Sequence, residues 1–156
     1  MTTIANARGS FHEGLRALAH ERIELAVDQL GAAAADAPDD ATVQAFYATA
    51  LFAAARPDDA EAVIARALEL APLDYWPNLK AGELRLRLGD PAAAADHFLV
   101  ALRAVEPGTA DATAAQRALV RARRDVASGV AHRAVLPSVE WLARRRAAKP
   151  GSVHGS

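Results

Sequence analysis

Ala26, Ala60 and Ala94 are evenly spaced along the chain, and the residues around them recur with them. Four positions after each alanine stands a large apolar side chain, Leu30, Ile64 or Phe98. Three further on comes another alanine, Ala33, Ala67 or Ala101. A proline closes each copy: Pro38, Pro72 and, one residue late, Pro107. Twelve positions ahead of each leading alanine is a further small residue, Gly14, Ala48 or Gly82. One unit of this length cannot bury its own apolar face. A fixed interval in the range of about 20–50 residues therefore predicts units stacked into a solenoid with a shared core.

The repeated positions have physical roles. Two antiparallel helices approach closely where their facing residues are small, so glycine or alanine belongs at the crossing. The large residue one turn on fills the space within the pair, and the following alanine lets the next unit stack. Proline lacks an amide donor and disfavours helix in the residue before it, so it ends the second helix. Tight turns are expected at Ala55-Arg56-Pro57-Asp58-Asp59 and Leu88-Gly89-Asp90-Pro91. In the second, Asp90 suits an N-cap with Pro91 at the first helical position. Each unit reads as helix, turn, helix.

These motifs, Ala26-x-x-x-Leu30…Pro38, Ala60-x-x-x-Ile64…Pro72 and Ala94-x-x-x-Phe98…Pro107, resemble the second half of the tetratricopeptide repeat. The family's Trp-x-x-Leu-Gly opening is absent: Glu13, Tyr47 and Ala81 stand where its leucine belongs, and Trp76 lies two residues early for its tryptophan. The expected fold is all-α, a tetratricopeptide-like helical-hairpin solenoid. Three repeats are expected at about residues 7–40, 41–74 and 75–108, followed by a capping helix over 109–128. A basic amphipathic helix over 129–150 and a disordered tail over 151–156 complete the expected division.

Composition agrees with this class. The chain of 156 residues holds 41 alanines, the best helix former. Without cysteine it has no disulfide, thiolate metal site or cysteine nucleophile. Its first residues lack the basic start and apolar run of a secretion signal, and no stretch has the length of a membrane span, so a cytoplasmic protein is expected.

Charge divides the chain. Residues 1–110 hold 9 Lys/Arg and 16 Asp/Glu, a net of −7, whereas residues 111–156 hold 9 and 3, a net of +6. In the capping helix, Thr109 or Asp111 suits the N-cap, and Ala115, Leu119, Ala122 and Val126 form its apolar side. Arg117, Arg121, Arg123, Arg124 and Asp125 supply the polar outer face that a terminal unit needs. The last helix, expected from about Pro137, joins Trp141 and Leu142 to Arg144, Arg145 and Arg146. Three roles fit this segment: a solvated end, a protein or self-association contact anchored by Trp141, or an anionic surface. Its few charges promise only weak membrane affinity, and no nucleic-acid module or stacking surface accompanies the arginines.

The resemblance implies that the first helices line a concave groove. Its side chains would be Phe11, Leu15 and Leu18 from the first repeat, and Ala45, Thr49 and Phe52 from the second. The third would add Trp76, Leu79, Lys80, Glu83 and Leu86. Some adaptors of the family clamp a C-terminal carboxylate. Phe11, Leu15, Phe46 and Trp76 stand at those sites here, with only Lys80 suitably charged, which argues against such a ligand. An apolar helix or extended peptide suits the groove better. Alternatively, these side chains pack on one another or on the chain's own last helix.

Catalysis has little support. His12, His20, His97, His132 and His154 show no i, i+4 pairing, and no metal or other cofactor is expected. Asp39-Asp40 and Asp58-Asp59 precede helices, where capping and the helix dipole account for them. The chain is expected to be a non-enzymatic interaction adaptor, with a self-associating assembly protein as the alternative.

Overall fold

The computed structural model describes residues 2–129, which form seven helices and no strand. They are α1 (Thr2–Ala19), α2 (Ile23–Asp36), α3 (Ala41–Ala53), α4 (Pro57–Leu70), α5 (Tyr75–Arg87), α6 (Pro91–Arg103) and α7 (Ala110–Ser128). α1 packs on α2, α3 on α4 and α5 on α6, and α7 closes the stack against α6. Layers join through α2 on α3, α3 on α5 and α4 on α5. This is an all-α helical-hairpin solenoid.

Each hairpin closes on the pair of residues expected from the repeat. A Cβ built on Gly14 would come within 2.5 Å of Leu30 Cγ, and one on Gly82 within 2.4 Å of the Phe98 ring. Ala48 takes this place in the middle hairpin, buried with Ile64 in one cluster. Leu30, Ile64 and Phe98 are all buried, as are Ala26, Ala60 and Ala94. Small residues here let the large ones lie across the helix crossing.

The turns within the hairpins share one geometry. Glu21, Ala55 and Gly89, each one repeat from the next, adopt left-handed backbone conformations with φ of 56°, 59° and 84°. In each turn the next residue donates its amide to the carbonyl five positions back: Arg22 to Ala17, Arg56 to Leu51 and Asp90 to Arg85. The left-handed residue donates three positions back, to Leu18, Phe52 or Leu86. This pair of bonds satisfies the last carbonyls of the first helix and reverses the chain.

The turns between hairpins are held by side chains. Gln44 Nε2 donates to the carbonyls of Ala34 at 3.1 Å and Pro38 at 3.4 Å. Asn78 Nδ2 donates to those of Pro72 and Asp74, both at 2.9 Å. Both are buried polar side chains, and these bonds offset the cost of their burial.

Three capping expectations take definite form. Asp40 caps α3, accepting from the amides of Thr42 and Val43, while Asp39 instead pairs with Arg66 at 3.1 Å. Asp58 and Asp59 lie inside the first turn of α4 rather than before it, because Pro57 takes the first helical position. The N-cap is Arg56, and its guanidinium donates to Asp59 at 2.8 Å. Thr109, not Asp111, caps α7. On α7, Ala112, Ala115, Leu119 and Ala122 are buried, but Val126 is 49% exposed, against expectation. α7 has 19 residues against 13 in α6, so its last turns outrun the partner helix by about 9 Å.

Candidate protein-binding face

The first helices α1, α3 and α5 place a row of aromatic side chains across the layers. Phe11 meets Phe46 edge-on with ring centroids 5.7 Å apart, and Phe46 meets Trp76 at 5.0 Å. Trp76 meets Tyr75 edge-on at 4.9 Å. The Tyr75 hydroxyl donates to the Asp111 carbonyl at 3.2 Å, carrying the row to α7. Burial, followed by the nearby Asp111 and Glu83 charges, raises the Tyr75 phenol above its ordinary value and keeps it a neutral donor. Phe11, Phe46 and Trp76 are half-buried, so part of each ring remains open.

Lys80 sits over this row. Its Nζ lies 4.9 Å from the Phe46 centroid and 5.9 Å from that of Trp76, within reach of both ring quadrupoles. The side chain is only 15% exposed, and Glu83 pairs with it at 2.9 Å. Arg87 lies 5.8 Å from the Phe52 ring. Lys80, Glu83 and Arg87, at i, i+3 and i+7, thus form an alternating charged ridge along one side of α5. Between this ridge and α3 is a cleft lined by Ala45, Thr49, Phe52, Lys80, Glu83 and Arg87. It encloses about 20 Å³. That admits roughly one water, whereas small-molecule sites hold several hundred Å³.

The other expected groove residues divide. Thr49 is half-buried and donates its hydroxyl to the Ala45 carbonyl at 3.1 Å. Leu15 is half-buried, and Leu18 packs partly against Ala17, Ala26, Leu30 and Ala50. Leu79 does not face the open side: it is 6% exposed and packs with Phe98, Ala115 and Leu119 in the core shared by α5, α6 and α7. Leu86 leans on the same core. Ala45 is fully buried beneath the cleft. Trp141, Leu142, Arg144, Arg145 and Arg146 lie outside the described residues, as do the helix expected from Pro137 and the tail over 151–156.

Beside the aromatic row is a polar link absent from the sequence reading. His97 Nδ1 lies 3.1 Å from Asn78 Oδ1. Asn78 Nδ2 already serves two carbonyls, so Oδ1 is the acceptor and His97 Nδ1 carries the donated proton. Burial, then the Arg85 charge, lowers the His97 pKa from its ordinary value, with Asp96 opposing. The signal was available: Gln44 and Asn78 are separated by the repeat interval, so both polar residues sit at one repeat position. No group of three or more His, Asp or Glu suited to a metal ion occurs among the described residues.

Comparison with known proteins places this geometry. Residues 17–83 match the family model described as tetratricopeptide repeat. The TPR domain of Arabidopsis OM64 superposes with a TM-score of 0.61 at 22% identity, over 76% of this chain and 98% of that one. The P58(IPK) TPR domain gives 0.59 at 21% identity, over 88% of this chain and 41% of that one. No curated protein matches. At these identities the solved structures speak for the fold, while the matched segment carries the repeat signature. Residues 17–83 thus carry the tetratricopeptide-repeat signature, and the stacked hairpins have the fold of such domains.

Proposed function

We propose that this protein is a cytoplasmic, non-enzymatic adaptor that binds an apolar helix or extended peptide across α1, α3 and α5. Tetratricopeptide repeats are generally protein-interaction modules and typically non-catalytic scaffolds. The carrying observation is the half-open aromatic row Phe11, Phe46 and Trp76, continued by Phe52 in the cleft beside Lys80, Glu83 and Arg87. Aromatic rings offer large contact area at low entropic cost, and the charged ridge sets a polar edge along them. Leu15 and Leu18 extend the apolar side, while Leu79 and Leu86 contribute through the core behind it. A cleft of this size suits an inserted side-chain tip rather than a whole small molecule.

The test is a displayed library of helical and extended peptides selected on the full chain. Peptides enriched on wild type should be lost on Phe52→Glu and Thr49→Arg variants whose helix content by circular dichroism is unchanged. Retention of the same peptides by both folded variants would exclude this face. A second reading, self-assembly, draws on a different part of the surface.

A further inference from the structure

The first and last layers of the stack carry opposite charges that no ion pair among the described residues uses. On α7, Arg117, Arg121 and Arg124 follow one another at i, i+4 and i+7, and Arg123 lies on the other side of Val120. All four arginines are exposed. In the first layer, Glu24 and Asp28 share one side of α2 with Ala32 and Ala35. Glu21 precedes that helix, Asp36 ends it, and all four carboxylates are exposed. Among the described residues the ion pairs use Arg16, Arg56, Arg66, Lys80 and Arg85 with Glu13, Asp59, Asp39, Glu69, Glu83 and Glu61. None draws on either set.

Each face also has a partly apolar centre. Val120 is 56% exposed among its arginines, and the side chains of Ala32 and Ala35 lie open beside Glu24 and Asp28. We propose that a second copy of this chain docks the carboxylate side of its α2 on the arginine face of α7. A large residue would then meet small ones at the centre, with opposite charges around it.

Exposed ion pairs add little affinity singly, so the charges mainly set orientation and encounter rate while the Val120 contact contributes apolar burial. The chain's own segment beyond 129 is a poor occupant of the arginine face. It carries Arg133, Arg144, Arg145, Arg146 and Lys149 against Glu140 alone, and like charges repel. A nucleic-acid or lipid phosphate would match the arginines but leave the α2 carboxylates unused. A second copy accounts for both faces with one contact. Because the two surfaces differ, the contact is heterologous. A pair leaves one arginine face and one carboxylate face free, and copies add head to tail. No residue of the aromatic row takes part, so this proposal and the binding-face reading fail independently.

Sedimentation velocity of the full chain tests it. The mass should rise with protein concentration at about 0.01 M salt and return to monomer at about 1 M, where the Debye length shrinks from roughly 30 to 3 Å. The variants Glu24→Arg/Asp28→Arg and Arg121→Glu/Arg124→Glu should each be monomeric alone. Mixed in equal amounts they should associate again, since the two untouched faces match as in wild type and the two reversed faces match each other. A wild-type monomer at low salt and high concentration overturns the proposal, as does association that neither reversal weakens or a mixture that stays monomeric. Monomeric wild type that binds anionic phospholipid vesicles or duplex DNA through the arginine face also overturns it, in favour of a phosphate surface.

Discussion

Gln44 and Asn78, one repeat apart, hold equivalent joints: each donates its side-chain amide to the carbonyl of the proline six positions earlier, Pro38 or Pro72. These prolines end the repeats, so their carbonyls belong to the passage from one hairpin to the next. Pro38 and Pro72 themselves are placed by the repeat. How their carbonyls are satisfied depends on the buried amide that reaches back from the following helix.

Replacing Asn78 with leucine removes the donor to two carbonyls and the acceptor for His97. Buried polar groups left without partners cost about 1–3 kcal/mol. Urea unfolding should show a loss in that range, accompanied by faster amide exchange in the turn over 71–74. An unchanged midpoint would mean that water replaces the side chain without penalty.

Gly82 tests the close helix crossing. An added methyl would sit 2.4 Å from the Phe98 ring, so Gly82→Ala should overpack the third hairpin and cost about 1–3 kcal/mol. Phe98→Ala alone should cost about 3–5 kcal/mol by leaving a cavity. In the Phe98→Leu background the Gly82→Ala penalty should shrink. Simple additivity in the double-mutant cycle would place the strain elsewhere.

Ala55 occupies a left-handed conformation that Gly89 adopts without steric cost in the third hairpin. Left-handed backbone costs a residue with a Cβ roughly 1–2 kcal/mol, partly balanced by the greater unfolded-state freedom of glycine. Ala55→Gly should therefore raise the urea midpoint, with a gain of up to about 1 kcal/mol. Ala55→Val should lower it. A loss on Ala55→Gly would contradict this reading of the turn.

His97 gives a pH dependence of definite sign. Its folded-state pKa is lowered from 6.5, chiefly by burial and then by Arg85. As pH falls, the unfolded chain takes this proton first. The contribution to stability is therefore present above about pH 6.5 and is lost as pH drops through the folded value. Relative to His97→Gln, wild type should lose stability on passing from neutral to mildly acidic pH. A constant difference between the two proteins would show that the folded and unfolded pKa values agree.

The fold was legible because its contacts recur at a constant offset. Gly14 with Leu30 and Gly82 with Phe98 are both 16 positions apart, and each pair combines a gap with the residue that fills it. The candidate binding face was only partly legible. Helical spacing put Leu79 beside Trp76 and Lys80, yet α6 and α7 cover one flank of α5, and Leu79 falls on the covered side. Val126 shows the reverse: its spacing is that of a packed residue, but α6 is too short to cover it.

By itself, then, the sequence determined the hairpin unit, its helix crossings and its proline-marked ends. These follow from side-chain size and backbone chemistry at fixed separations along the chain. Tertiary structure alone decided that Phe11, Phe46 and Trp76 form one row and that Lys80 lies over two of its rings. It also decided that Glu21, Ala55 and Gly89 share one turn geometry despite their different side chains. The physical reason is that ring contacts depend on how neighbouring layers are set against each other. The turn conformation is imposed by the backbone bonds that reverse each hairpin, whatever residue stands there.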